Sequence, residues 1–198
     1  MSALQQQFGQ IDIYLFDQLL RGNIAPGMII LDAGCGYGRN LVYFLREGYQ
    51  VFGADLDARA VAEVRLLAHN QPASNFHLEP IEQMTFPADF ADVVISSAVL
   101  HFARDDNQFL AMLNGSWRVL KPGGLFFCRL ASSIGIEQLV QPISGRRHLL
   151  PDGSERYLVD EAMLLRLTGD LGGHLVDPIK TTVVQGQRSM TTWVMRKL

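Results

Sequence analysis

Two rhythms of apolar residues alternate along this chain. Short β-rich runs carry no helical period, and the stretches between them place apolar side chains three and four apart. Met28–Leu31 is an apolar run entered through Pro26-Gly27 and left at Asp32, which predicts a buried strand. Leu41, Phe44 and Leu45 then sit at helical spacing within Arg39–Glu47, and Gly48 stops that helix. Gln50–Ala54 predicts a second strand ending at Asp55. Asp57 can cap the next helix, whose buried stripe is Val61, Val64 and Ala68. Asn75–Leu78 is a weak third strand and Asp92–Ile95 a strong fourth. Asp105 or Asp106 caps a helix with Phe109, Met112, Leu113, Trp117 and Leu120 on one face. Lys121-Pro122-Gly123-Gly124 breaks it, and Leu125–Leu130 is the fifth strand.

Repeated strand–helix–strand units require a parallel sheet covered by helices on both faces. The end of the chain changes pattern. Asp160 caps a helix to about Leu171, Gly172-Gly173 ends it, and the β-rich runs His174–Val184 and Met190–Met195 follow with Gly186 between them. Strands in succession with no intervening helix predict an antiparallel hairpin. The N-terminal segment Phe8–Leu20, with Ile11, Tyr14, Leu15 and Leu19 in phase, predicts a helix that covers the sheet or the site. The expected organisation is one domain over residues 1–198: a helical cap (1–25), a core (28–130), a substrate or lid segment (131–160), and a final helix and hairpin (160–198).

Composition agrees with a packed domain. Of 198 residues, 48% are hydrophobic and 19% charged, too apolar for a disordered chain. The net charge of −3 lacks the basic surplus of a nucleic-acid binder. No apolar run approaches the roughly 20 residues a membrane span needs. The first ten residues lack a signal-peptide pattern. Cys35 and Cys128 form no disulfide framework, and the histidines and cysteines show no metal spacing. These features lead to the expectation of a cytoplasmic protein with no metal, no nucleic-acid partner and no membrane partner. Oligomeric state is unreadable.

The candidate chemistry begins at Asp32-Ala33-Gly34-Cys35-Gly36-Tyr37-Gly38, a glycine loop that leaves a strand and opens a helix. A dinucleotide fingerprint, G-x-G-x-x-G, places its third glycine three residues after the second; here the spacing is G-x-G-x-G, with Arg39 and Asn40 next. Residues without Cβ let backbone approach a ligand closely. Asp55, about one βαβ unit further on, is placed to accept two hydroxyl hydrogen bonds.

These residues carry a family resemblance. Ile30–Gly38 resembles the first motif of class I S-adenosylmethionine (SAM)-dependent methyltransferases, and Val51–Asp55 their post-first motif. Phe90–Ser96 is similar to their fourth strand, and Leu120–Gly124 to the turn before their fifth. Gly38-Arg39-Asn40 and Val99-Leu100-His101-Phe102 are similar to the tellurite-resistance and small-molecule branches of the family.

The resemblance implies a Rossmann-like α/β fold: a seven-stranded, mostly parallel sheet with helices on both faces and a C-terminal antiparallel hairpin. It implies SAM as cofactor, S-adenosylhomocysteine as product and a small-molecule acceptor. It assigns Asp32 to the methionine amino group, Gly34, Cys35 and Gly36 to the loop around methionine and ribose, Asp55 to the ribose hydroxyls and Leu56 to the adenine. The family's acidic adenine position falls on Pro80, flanked by Glu79 and Glu82. Proline offers neither N–H nor carboxylate, so the Ile81 amide is expected to meet adenine. Ser97 is expected beside the methyl-bearing sulfur.

For catalysis, His101 at the end of the fourth strand is the best candidate base or orienting donor, against packing beside Phe102. Arg146, Arg147 and His148 form a basic cluster that can hold an anionic substrate or stay solvated, and Arg156-Tyr157 invites the same two readings. Cys35 reads as a packed residue rather than a nucleophile. Two other functions stay open: a SAM-binding regulatory protein without catalysis, and a nicotinamide oxidoreductase, which the glycine spacing disfavours.

Overall fold

A computed structural model describes residues 2–198. The central sheet holds β1 (Ile29–Ala33), β2 (Gln50–Asp55), β3 (Phe76–Leu78), β4 (Ala91–Ser97) and β5 (Leu120–Ala131), and later β9 (Gly173–Leu175), β10 (Lys180–Val184) and β11 (Arg188–Lys197). Its order is β10-β11-β5-β4-β1-β2-β3, with β9 paired to β11 as well. The pairs β5–β4, β4–β1, β1–β2 and β2–β3 are parallel, whereas β11 runs antiparallel to β5, β10 and β9.

Alternation along each strand feeds two cores. Ile30, Val93 and Ile95 face one, which includes Leu15 of α2 (Ile13–Leu20), Phe44 of α3 (Val42–Arg46) and Val61 and Val64 of α4 (Ala58–Leu67). Leu31 and Val94 face the other, with Phe109 and Leu113 of α5 (Asp106–Arg118) and Leu164 of α6 (Glu161–Asp170). The period-two side-chain geometry of a strand requires this division when helices cover both faces. The caps expected at Asp57, Asp105 and Asp160 each accept backbone N–H bonds at their helix starts.

Two expectations need correction. The N-terminal segment is two helices, α1 (Ala3–Phe8) and α2, because Gly9 takes a positive φ and Asp12 begins a new cap. The run His174–Val184 is two strands: β9 pairs with one end of β11 and β10 with the other, and Val176–Ile179 bridges the gap. The segment 131–160 contains a three-stranded antiparallel sheet, β6 (Gln141–Ser144), β7 (Arg147–Leu149) and β8 (Glu155–Tyr157). The turn Pro151-Asp152-Gly153 joins the last two of these strands. Tyr157 docks this small sheet: its ring stacks on Phe109 at 4.7 Å and its hydroxyl donates to Asp106 at 2.9 Å.

Strand order reverses between β1 and β4, since the chain builds β1, β2 and β3 outward and then returns to the other side of β1. Ligands of open α/β sheets bind outside the carboxyl ends of the strands at such a switch point. Among the described residues, no helix is long and apolar enough to cross a membrane.

Candidate functional site

The loop after β1 opens at this switch point. Gly34 has φ +88, and a Cβ there would lie 2.4 Å from a methyl of Val99, so only glycine fits. A Cβ on Gly36 would meet no atom within 4 Å, so its backbone borders open space. The Gly34 and Cys35 amides both donate to the Ala54 carbonyl, at 2.8 and 3.1 Å, which clamps the loop to the end of β2.

Asp55 completes the clamp. One carboxylate oxygen accepts the Gly36 amide at 2.8 Å and the other the Asp57 amide at 2.9 Å. Each oxygen keeps lone-pair capacity, since an ionised carboxylate offers about four acceptor positions. Two hydroxyls could therefore bind without displacing either backbone bond.

Gly34, Gly36, Asp55, Leu56, Ile81 and Glu82 wall one side of a cavity of about 440 Å³, and Ala98, Val99, Phe102, Gln108 and Met112 wall the other. Gly115 of α5 sets the position of Ile81 and Glu82. A Cβ there would lie 2.3 Å from the Ile81 carbonyl oxygen, so the absent side chain lets the helix press onto the short 3₁₀ turn at Ile81–Gln83.

Asp32 lies beneath the loop, 2% exposed, and its Oδ1 is buried with no hydrogen-bond partner. Burial pushes its pKa up to about 8; Arg39 pulls the other way and Asp55 adds to the rise. A buried, unsatisfied carboxyl is costly unless a ligand donor completes it. Arg39 also donates to the Ser97 hydroxyl at 2.9 Å, tying the loop to the end of β4.

Five of the expected cofactor residues thus meet around one cavity: Gly34, Gly36, Asp55, Leu56 and Ile81. Asp32 and Ser97 lie outside its lining. The Cys35 side chain turns away into the core against Gly53, and burial raises its thiol pKa. Pro80 caps the 3₁₀ turn and does not line the cavity. Of its acidic neighbours, Glu79 folds away to accept from Thr85, while Glu82 lines the cavity and accepts from Gln108 at 3.2 Å.

A second cavity, about 330 Å³, adjoins the first and shares Ala98 and Phe102 with it. Ala98 adopts φ +65, a conformation that L residues rarely hold. His101 lines this cavity at 5% exposure. Its Nδ1 accepts the Ala131 amide at 3.0 Å, so the neutral ring must carry its proton on Nε2. Burial lowers its pKa to about 4, with Arg156 contributing. His101 therefore presents a donor at neutral pH, and of its two expected roles the base is blocked.

The basic cluster lies elsewhere. Arg146 pairs with Asp160 at 2.8 Å, Arg147 with Glu155 at 2.7 Å, and the His148 Nδ1 donates to the Arg146 carbonyl at 2.9 Å. None of the three lines either cavity. The arginines that do are Arg129, Arg156 and Arg188. The signal for Arg129 was a lone charge inside the otherwise apolar run Leu125–Leu130. Arg188 gave no signal beyond its charge.

Residues 31–128 match the family described as Methyltransferase domain. An uncharacterized methyltransferase of Synechocystis sp. is 34% identical over 113 residues, spanning 56% of this chain and 51% of that protein. The malonyl-[acyl-carrier protein] O-methyltransferase of Serratia marcescens is 30% identical over 152 residues, 75% of this chain and 54% of that protein. The chain thus spans about half the length of these relatives. A SAM-dependent methyltransferase structure from Methanosarcina mazei superposes with a TM-score of 0.74 at 20% identity, covering 91% of this chain and 97% of that one. The chain belongs to the class I S-adenosylmethionine-dependent methyltransferases.

Proposed function

We propose that this chain transfers the methyl group of SAM to a small-molecule acceptor, with SAM in the 440 Å³ cavity and the acceptor in the adjoining one. The observation that carries this reading is the convergence of Gly34, Gly36 and Asp55 on one cavity at the strand switch point. The residues fit the cofactor. The unpartnered Oδ1 of Asp32 suits the methionine ammonium, the free lone pairs of Asp55 suit the ribose hydroxyls, and Leu56, Ile81 and Glu82 suit the adenine. Ser97, fixed by Arg39, belongs beside the sulfur.

SAM, when bound, supplies an electrophilic methyl on a sulfonium. The protein's own contribution is placement. Gly34 and Val99 hold the loop against the end of β4, while Ala98 and Phe102 form the shared wall across which donor and acceptor meet. Alignment of this kind removes most of the entropy cost of a two-body displacement. The Nε2–H of His101 is available to orient an acceptor. A regulatory SAM binder without catalysis would need no second cavity, and a second cavity that shares Ala98 and Phe102 with the first favours the enzyme.

Titration calorimetry with SAM, S-adenosylhomocysteine and NAD tests the proposal. Saturable heat with both sulfur compounds and none with NAD is expected. NAD binding without SAM binding would overturn it.

A further inference from the structure

The second cavity has a charge pattern that the cofactor reading leaves unused. Three arginines converge on it, from three different parts of the fold. Arg129 comes from β5, Arg156 from β8 and Arg188 from the start of β11. Arg129 is spoken for in part: its Nη1 donates to buried Asp12 at 2.9 Å, while its Nε is buried with no partner. Arg156 and Arg188 have no carboxylate within ion-pairing distance among the described residues. Asp152 also lines the cavity, but its carboxylate accepts from the Ser154 amide and hydroxyl. Counting Asp12 and Asp152, the site keeps one more positive charge than negative.

Arg156 owes its position to the small antiparallel sheet. Tyr157 points inward to Phe109, so its neighbour on β8 must point the other way. The Arg156 guanidinium lies 4.8 Å from the centroid of the Phe102 ring, at the wall shared by the two cavities. Leu150, Val184 and Met190 give the same cavity an apolar side.

A second observation agrees independently. The second cavity offers no strong general base. His101 accepts the Ala131 amide at Nδ1 and carries its proton on Nε2. Asp152 is held below the usual carboxylate range, chiefly by the Ser154 hydroxyl, with Arg188 and Arg156 adding to the effect. The carboxylates Asp55 and Glu82 belong to the cofactor cavity and are already hydrogen bonded there. An acceptor that needed a proton removed would find only the Asp152 carboxylate, a weak base whose Oδ1 already takes both Ser154 bonds.

Resting on the SAM reading above, we infer that the acceptor is a small organic acid with an apolar body, bound as its anion through Arg156 and Arg188, and that it reacts without base catalysis. Guanidinium forks suit carboxylates because two parallel N–H bonds match two oxygens. The step then balances without proton transfer. A lone pair of the anionic acceptor forms the new bond to the methyl carbon. The carbon–sulfur bond breaks with its electrons staying on sulfur, and the products are the methylated acceptor and S-adenosylhomocysteine.

The test uses protein loaded with S-adenosylhomocysteine, titrated with benzoate and hexanoate and with their uncharged amides, benzamide and hexanamide. At least one acid should bind at least about tenfold more tightly than its amide. The R156Q/R188Q double variant should lose that preference while keeping its affinity for S-adenosylhomocysteine. Arg188→Gln alone, at an exposed strand start, should weaken the preference in a protein whose fold is not at risk. Equal binding of acid and amide, binding of none of the four, or an acid preference that survives both variants would overturn the inference while leaving the cofactor reading intact. Failure of the unaltered protein to bind S-adenosylhomocysteine would strike the cofactor reading instead.

Discussion

Replacing Asp32 with asparagine should remove a pH dependence of folding that the buried carboxyl creates. The Asp32 pKa is about 8 in the folded chain and 3.8 as an ordinary carboxyl, with burial the main cause. Between those values the folded state binds a proton that the unfolded state has released. The linkage slope is therefore negative, and this group's contribution to stability falls as pH rises. Each pH unit in the window is worth up to about 1.4 kcal/mol. From pH 6 to pH 8 the loss is about 2 kcal/mol, because titration of the folded form flattens the slope near pH 8. His101 works in the opposite sense, since its pKa is lowered to about 4 and its contribution grows as pH rises toward 6.5. It is present in both proteins and cancels in the difference. Urea unfolding of wild type and Asp32→Asn at pH 6 and pH 8 reads the effect: wild type should lose about 2 kcal/mol more than the variant. Identical losses in the two proteins would refute the reasoning about Asp32.

Other outcomes follow from the same site. SAM binding to wild type at pH 7 should release a proton, because a ligand cation beside Asp32 favours its ionised form. Calorimetry in buffers of different ionisation enthalpy measures it, and Asp32→Asn should show none. Asp55→Ala should weaken SAM binding at least tenfold, as two charge-assisted hydrogen bonds are lost and the loop amide of Gly36 loses its anchor. Gly34→Ala should destabilise the fold by about 2 kcal/mol or more in urea unfolding, since it combines φ +88 with a 2.4 Å clash against Val99. His101→Ala should cost about 1–3 kcal/mol of stability by stranding the Ala131 amide, and turnover of wild type should show no inflection near pH 6.5 from a histidine base.

Much of this was legible from local chemistry. The parallel core could be read because β1, β4 and β5 carry continuous apolar runs and the helices after β2 and β4 begin with aspartate caps. The glycine-loop wall of the first cavity could be read because glycine spacing and Asp55 are set within one βαβ unit. The second cavity could not. Arg129, Arg156 and Arg188 are separated by tens of residues, and only the docking of β8 through Tyr157 and the pairing of β11 with β5 bring them together. The Arg146–His148 cluster misled for the complementary reason. Proximity in sequence made it look like a site, while Asp160 and Glu155, which arrive from elsewhere, consume its charges. The blocked Nδ1 of His101 likewise depends on an amide 30 residues away in sequence.

The most direct test of the central claim is a crystal structure grown with S-adenosylhomocysteine. It should show the ligand in the cavity at the ends of β1 and β4, its amino group at Asp32, its ribose hydroxyls on Asp55 and its sulfur toward Ala98. A ligand bound elsewhere, or ribose hydroxyls away from Asp55, would contradict the account.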